Sequence, residues 1–191
     1  MRRFARELLL PAMVALGLAF VIQSAVAKPY EIPTGSMIPT IEEHDRVIAN
    51  RLIYRFRDVR RGDVIVFQPP PAAIETCGQA AGNVPFVKRV VGLPGDVVRV
   101  VDSAVTIVNG HRLDLTGPHR DPALQPYTRQ FVAVPADHLL VLGDNRDNSC
   151  DSSQWKSAGG NPAVDPFVPM SSVIGQAEVT YWPINRWGFL N

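Results

Sequence analysis

Ser36 sits in the run Pro33-Thr34-Gly35-Ser36-Met37-Ile38-Pro39-Thr40, between a glycine and a methionine and with a proline on either side. Proline fixes φ, so the run reads as a stiff, narrow turn that presents one hydroxyl. That hydroxyl is a nucleophile only when a base takes its proton. Histidine is the usual base, but the four histidines lie in unpromising places. His44 is in a polar turn, His111 follows Asn109-Gly110, His119 is in a Gly-Pro loop, and His138 sits in a Pro-Ala-Asp turn. All four read as surface residues.

Lys88 is the better candidate base. It lies inside Phe86-Val87-Lys88-Arg89-Val90-Val91, where alternation puts Phe86, Lys88 and Val90 on one face and Val87, Arg89 and Val91 on the other. One of the two basic residues must share an apolar face. A lysine desolvated there holds its proton less tightly and can act as a general base near neutrality. A guanidinium cannot give up its proton, so the choice falls on Lys88. The alternative is a strand lysine that snorkels its ammonium to water. A third constellation, Gly143-Asp144-Asn145-Arg146-Asp147-Asn148-Ser149-Cys150-Asp151-Ser152, packs acids, amides, hydroxyls and an arginine into one loop. It could order a site through buried hydrogen bonds. The spacing of a calcium loop is only loosely met and no glutamate closes it, so no metal or other cofactor is expected.

The elements that must position these groups are strands. After an apolar start the chain reads as short β-branched runs punctuated by Gly, Pro and Asp: residues 46–50, 63–67, 86–91, 96–101, 104–108, 131–134, 138–142 and 173–182. Asn109-Gly110 is a strong hairpin signal, because both positions accept positive φ. Residues 69–85 and 157–169, rich in Pro and Gly, read as loops. The fold class is mostly β, a coiled sheet or barrel-like sandwich.

With 191 residues and a formal net charge of +1, the chain lacks the basic excess of a nucleic-acid binder. Arg51, Arg55, Arg57, Arg60 and Arg61 cluster but are interrupted by acids, and read as a solvated face or a lipid-headgroup contact. Residues 8–27 form a nearly uncharged stretch long enough to cross a bilayer. Arg2, Arg3 and Arg6 precede it and Lys28 alone follows, which orients residues 1–7 to the cytoplasm and a domain of residues 28–191 outside. Ala25-Val26-Ala27 also has the form of a signal-peptide cleavage site, so a retained anchor and a released domain both remain open. Cys77 and Cys150 either pair in an oxidising compartment or remain two thiols.

Taken together, these pieces resemble bacterial type I signal peptidase, the membrane-anchored Ser-Lys endopeptidase of protein export. Four ordered blocks carry the resemblance: residues 33–40, Arg61-Gly-Asp-Val-Ile-Val-Phe67, Lys88-Arg-Val-Val-Gly-Leu-Pro-Gly-Asp96 and Gly143-Asp-Asn-Arg-Asp-Asn-Ser149. The resemblance implies Ser36 as nucleophile and Lys88 as general base. It implies an oxyanion hole from the Thr34 hydroxyl and the Ser36 N–H, Ser149 as the group that orients the lysine, and Asp144, Arg146 and Asp151 as scaffold. Tyr30, Ile32, Met37, Ile41, Phe86 and Val87 match walls of shallow pockets for small residues at positions −1 and −3 of the substrate. The implied partners are signal-peptide-bearing precursors, membrane lipid and a nearby export translocon, with no nucleic acid.

The chain departs from that pattern at Ser153, where the family usually has arginine. The ion pair expected for Asp151 is therefore missing, and Arg89 or Arg146 is the alternative partner. Gln154-Trp155-Lys156 also leads into a Gly/Pro-rich loop rather than directly to a strand. Two other readings fit parts of the sequence. Self-cleaving repressor-type Ser-Lys proteases carry a DNA-binding domain where this chain has its apolar span. An inactive membrane-anchored β module would bind peptide by strand addition, although retention of both Ser36 and Lys88 speaks against it.

Overall fold

Strands dominate the computed structural model, which describes residues 9, 11–15, 17, 26–78, 84–115, 119–120, 123–131, 133–156, 160–161 and 164–190. The span expected over residues 8–27 lies mostly outside these. Residues 11–15 are helical, and among the described residues no helix is long and apolar enough to cross a membrane.

The larger sheet contains β1 (Ala27–Glu31), β2 (Arg46–Asn50), β3 (Val64–Phe67), β4 (Phe86–Gly92), β9 (His138–Leu142), β10 (Val168–Pro169) and β11 (Val173–Trp182) in the order β1-β2-β11-β3-β4-β9-β10. β12 (Gly188–Phe189) adds to β11. A smaller sheet has the order β7-β6-β5-β8, from β5 (Val98–Val101), β6 (Val105–Val108), β7 (His111–Leu113) and β8 (Arg129–Gln130). Register shifts within β11 and between Val90 and Gly92 of β4 bend the larger sheet. Its path is open, with β1 and β10 at its two ends.

One register row positions the catalytic strand. Ala27 pairs with Asn50, Asn50 with Gln176, Gln176 with Ile65, and Ile65 with Lys88. Lys88 thus stands level with the first residue of β1, four strand spacings or about 19 Å away along the sheet.

β3 has no polar face. Val64 and Val66 join Met37, Ile41, Val47 and Val87 in one cluster, while Ile65 and Phe67 join Val90, Leu139, Val141 and Trp155 in another. A third cluster, including Val98, Val100, Leu140, Leu142 and Phe167, seats the small sheet against β9. Each fully buried side chain of this size contributes about 1.5–3 kcal/mol. The strand that carries Lys88 is therefore covered on both sides, and Lys88 and Arg89 are both buried.

Several expectations need correction. The segment 69–85 is not only loop: Pro71–Cys77 forms a helix, α1, with proline at its start, where a missing N–H costs nothing. Of residues 131–134, the described ones, 131, 133 and 134, are not in a strand. The strand lies earlier, at Arg129–Gln130, and Phe131 and Val134 are tied by N–H bonds to the Val98 and Asp96 carbonyls. The 157–169 segment ends in β10 with Phe167 buried. β1 escaped detection because it abuts the apolar span and holds Pro29, tolerable because this is an edge strand. Asn109 and Gly110 have φ of 51° and 84° and join β6 to β7 in the hairpin expected at that dipeptide.

The arginine cluster divides. Arg57 grips both oxygens of Asp63, which also accepts from Tyr54 Oη and the Arg60 N–H; Arg61 forks onto Asp96. These two guanidiniums brace the approaches to β3 and β5. Arg51, Arg55 and Arg60 are exposed.

Candidate active site

The Ser36 turn is a single 3₁₀ turn, Gly35–Met37, with a cis peptide between Ile38 and Pro39. Met37 is fully buried and its carbonyl accepts the Ile41 N–H, so the turn is nailed to the core immediately behind the serine. Gly143 lies against the same turn. A Cβ there would collide with the Ser36 carbonyl oxygen and with Ser149 Oγ, so only glycine permits this approach. Asn145 then holds the turn from two sides. Its backbone N–H donates to Ser36 O at 3.1 Å and its Nδ2 donates to Gly35 O at 3.1 Å.

Lys88 Nζ donates to Ser36 Oγ at 2.5 Å. Burial lowers the lysine pKa from 10.5 to about 8, against the opposing pull of the Asp151 and Asp144 carboxylates. The ammonium thus loses its proton close to neutrality while within reach of the hydroxyl. Thr34 Oγ1 donates to Ser36 Oγ at 3.4 Å, which places a second hydroxyl beside the nucleophile. No histidine lines the groove described below. His138 bonds the Ala136 carbonyl, and His44 is largely exposed near Glu31.

The loop after β9 is held by its own acids. Asp144 accepts Arg89 Nε and Nη2 at 2.8 and 2.7 Å and the Thr40 hydroxyl at 2.5 Å. This network joins the nucleophile segment, the strand of Lys88 and the loop. Arg89 also donates to the Gly62 carbonyl. Asp151 receives the Gly143 N–H at 2.8 Å and the Ser153 N–H at 2.9 Å. Arg89 is therefore committed to Asp144, and Arg146 to Thr106 Oγ1 and the Ser103 carbonyl. Backbone amides satisfy Asp151 at the point where an arginine was missed. Ser149 Oγ is buried without a hydrogen-bond partner among the described residues, so its anticipated contact with the lysine is not made.

Beside Ser36 and Lys88 runs a groove of about 510 Å³. Tyr30, Ile32, Met37, Phe86 and Val87 line it as anticipated. Ile41 does not; it is wholly buried one turn behind Met37. Pro33 and Thr34 of the serine run complete that side, and the rest of the wall is Glu31, Val84, Pro85, Asn148 and the disulfide between Cys77 and Cys150, none of which the sequence places at the groove. That bond ties α1 to the catalytic loop next to Ser149 and Asp151. Trp155 is buried against Phe67 and Phe86, so the segment leading to the Gly/Pro-rich stretch is anchored rather than exposed.

The sequence gives Thr40 and Asn145 no role in holding the site, and it offers Arg89 as a partner for Asp151 where the structure pairs it with Asp144. Their signal was proximity to the motifs: Arg89 follows Lys88, and Asn145 follows Asp144. Nothing local says that an asparagine reaches across 110 positions to a glycine carbonyl.

Residues 5–182 match the family model described as signal peptidase, peptidase S26. A protein named Signal peptidase I from Leptolyngbya laminosa is 40% identical over 181 residues, covering 95% of this chain and 79% of its own. A Probable signal peptidase I-2 from Synechocystis sp. is 41% identical over 178 residues, covering 93% of this chain and 73% of its own. With its blocks in order along nearly the whole match, the chain belongs to the signal peptidase family, peptidase S26.

Proposed function

We propose that this chain is a serine endopeptidase that removes N-terminal signal peptides from exported proteins. The observation that carries the reading is the pair of Ser36 Oγ and a buried Lys88 Nζ 2.5 Å apart on the wall of a largely apolar groove.

The chemistry follows from the geometry. Neutral Lys88 accepts the Ser36 proton as Oγ attacks the scissile carbonyl carbon. Charge developing on the carbonyl oxygen is met by the Ser36 N–H and the Thr34 hydroxyl, each donor supplying about 3 kcal/mol of transition-state stabilisation. Lys88 then protonates the departing amine, leaving an acyl-enzyme on Ser36. Water, giving its proton to Lys88, hydrolyses that ester and restores the pair. Asn145 and Gly143 fix the turn, and Asp144 with Arg89 and Thr40 fixes the strand relative to it. Tyr30, Ile32, Met37, Phe86 and Val87 leave room for small side chains and reject bulky ones by contact.

Residues 8–27 serve as a single membrane anchor with residues 1–7 in the cytoplasm and residues 28–191 outside. The Ala27–Lys88 register row supports this placement, since the base is level with Ala27, the last residue of the anchor. Precursors held by their own apolar signal segments would meet the groove at that level, beside the translocon that delivers them.

The test is incubation of the detergent-solubilised chain with a precursor bearing an Ala-x-Ala site, followed by mapping of the new N-terminus. Cleavage after the second alanine, lost when that residue is leucine, is the expected result. Cleavage elsewhere, or indifference to the leucine, would overturn the reading.

A further inference from the structure

A second cavity, of about 490 Å³, lies outside the catalytic groove, along the crossover that carries the chain from β2 to β3. Its walls are of two kinds. Leu93, Pro94, Met170, Val173 and Ile174 make it apolar on one side, and Arg51, Arg55 and Arg57 bring charge, with Asp58 the one acid of the lining. Arg57 is occupied by Asp63. Arg51 and Arg55 are exposed, and among the described residues neither guanidinium has a hydrogen bond or an ion pair. Beside them Phe56 leaves 83% of its surface in solvent.

Two unmatched guanidiniums over an apolar wall suit an anion that carries apolar mass. A free phosphate would engage the arginines and leave the wall wet, whereas an anionic phospholipid uses both. Position favours the lipid as well. Arg51 donates its backbone N–H to the Val26 carbonyl at 2.8 Å, one residue beyond the Ala27–Asn50 pair. With residues 8–27 as the membrane anchor proposed above, on which this inference rests, Arg51 stands where the chain leaves the bilayer.

We propose that the Arg51–Arg55 cavity binds the headgroup phosphate of an anionic phospholipid, with the lipid's glycerol and first methylenes over Val173 and Ile174 and Phe56 in the interfacial layer. This contact, at the foot of the anchor, fixes how the catalytic domain leans on the membrane and so which way its groove opens.

The full chain is reconstituted in phosphatidylcholine vesicles with or without phosphatidylglycerol and treated with an arginine-directed glyoxal reagent, and modified peptides are quantified by mass spectrometry. Phosphatidylglycerol should slow modification of Arg51 and Arg55 by about fivefold each, the scale of one arginine at an anionic surface. Arg99 and Arg112, exposed on the small sheet, serve as controls and should react alike in both vesicles. Equal rates at Arg51 and Arg55 in the two vesicles, or slowing shared by the controls, would overturn the proposal. So would equal protection by inorganic phosphate at matched concentration, which assigns the site to small anions. Flotation of the same vesicles tests the anchor separately. A chain that fails to float but is still protected by phosphatidylglycerol keeps the site and loses the anchor, and precursor cleavage in the same samples reports on the peptidase reading by itself.

Discussion

Changing the pH titrates one buried amine on which the proposed chemistry depends. Lys88 releases its proton at about 8 because burial disfavours the ammonium more than the Asp151 and Asp144 carboxylates restore it. Only the neutral amine can take the Ser36 proton, so the active fraction is about one-half at pH 8, about one-tenth at pH 7 and about one-hundredth at pH 6. The assay is kcat/KM for a precursor with an Ala-x-Ala site, measured from pH 6 to 10 with folding checked by circular dichroism. The rate should climb about tenfold per pH unit on the acid side and flatten above pH 8 to 9. Stability gives a second readout, with a sign that follows from linkage. The folded pKa lies below the ordinary 10.5, so the folded state binds fewer protons between about 8 and 10.5 and stability rises with pH across that window. Below about pH 8 the cost of burying the ammonium is complete, on the order of 3 kcal/mol. Lys88→Met removes that cost, and the variant should be inactive yet melt higher than wild type at pH 7. A flat rate profile between pH 6 and 9, or a Lys88→Met variant that melts no higher than wild type at pH 7, would refute the reasoning.

Other outcomes follow from particular contacts. Gly143→Ala forces a methyl against the Ser36 carbonyl; kcat should fall by roughly a hundredfold, the scale of an ångström-level displacement of a catalytic group, with loss of about 1–3 kcal/mol of stability. Cys77→Ser with Cys150→Ser opens a loop of 73 residues and should cost about 4 kcal/mol in chemical denaturation, a loss matched by adding reductant to wild type. Arg89→Lys keeps the charge but gives up the two-pronged grip on Asp144, and should lower stability by about 2–3 kcal/mol by thermal melt.

Sequence made the chemistry more legible than its support. Ser36 and Lys88 stood out because a serine in a proline-framed turn and a lysine in an apolar strand are both locally costly choices. β3, β4, β9 and β11 were readable from β-branched runs whose ends are marked by Gly, Pro and Asp. α1 was hidden by its prolines and by a length of two turns, and its place is secured by a disulfide whose pairing depends on distance. Strands of two or three residues such as β8, β10 and β12 exist because a neighbour offers an edge, which no local periodicity can announce. The same limit applies in the site. Asp151 was expected to need an arginine, yet it is satisfied by the amides of Gly143 and Ser153 through the path of its own loop. Ile41 matched a pocket position in the pattern, but its turn directs it into the core behind Met37.

The central claim is that Ser36 is acylated with Lys88 as its base. It is tested most directly by incubating wild type, Ser36→Ala and Lys88→Ala with one precursor at pH 9 and identifying both the new N-terminus and the acylated residue after acid quench. Wild type should cleave after the Ala-x-Ala site and carry the acyl group on the peptide containing Ser36, and both variants should be inactive and unacylated. Turnover by either folded variant, or an acyl group on any other residue, would contradict it.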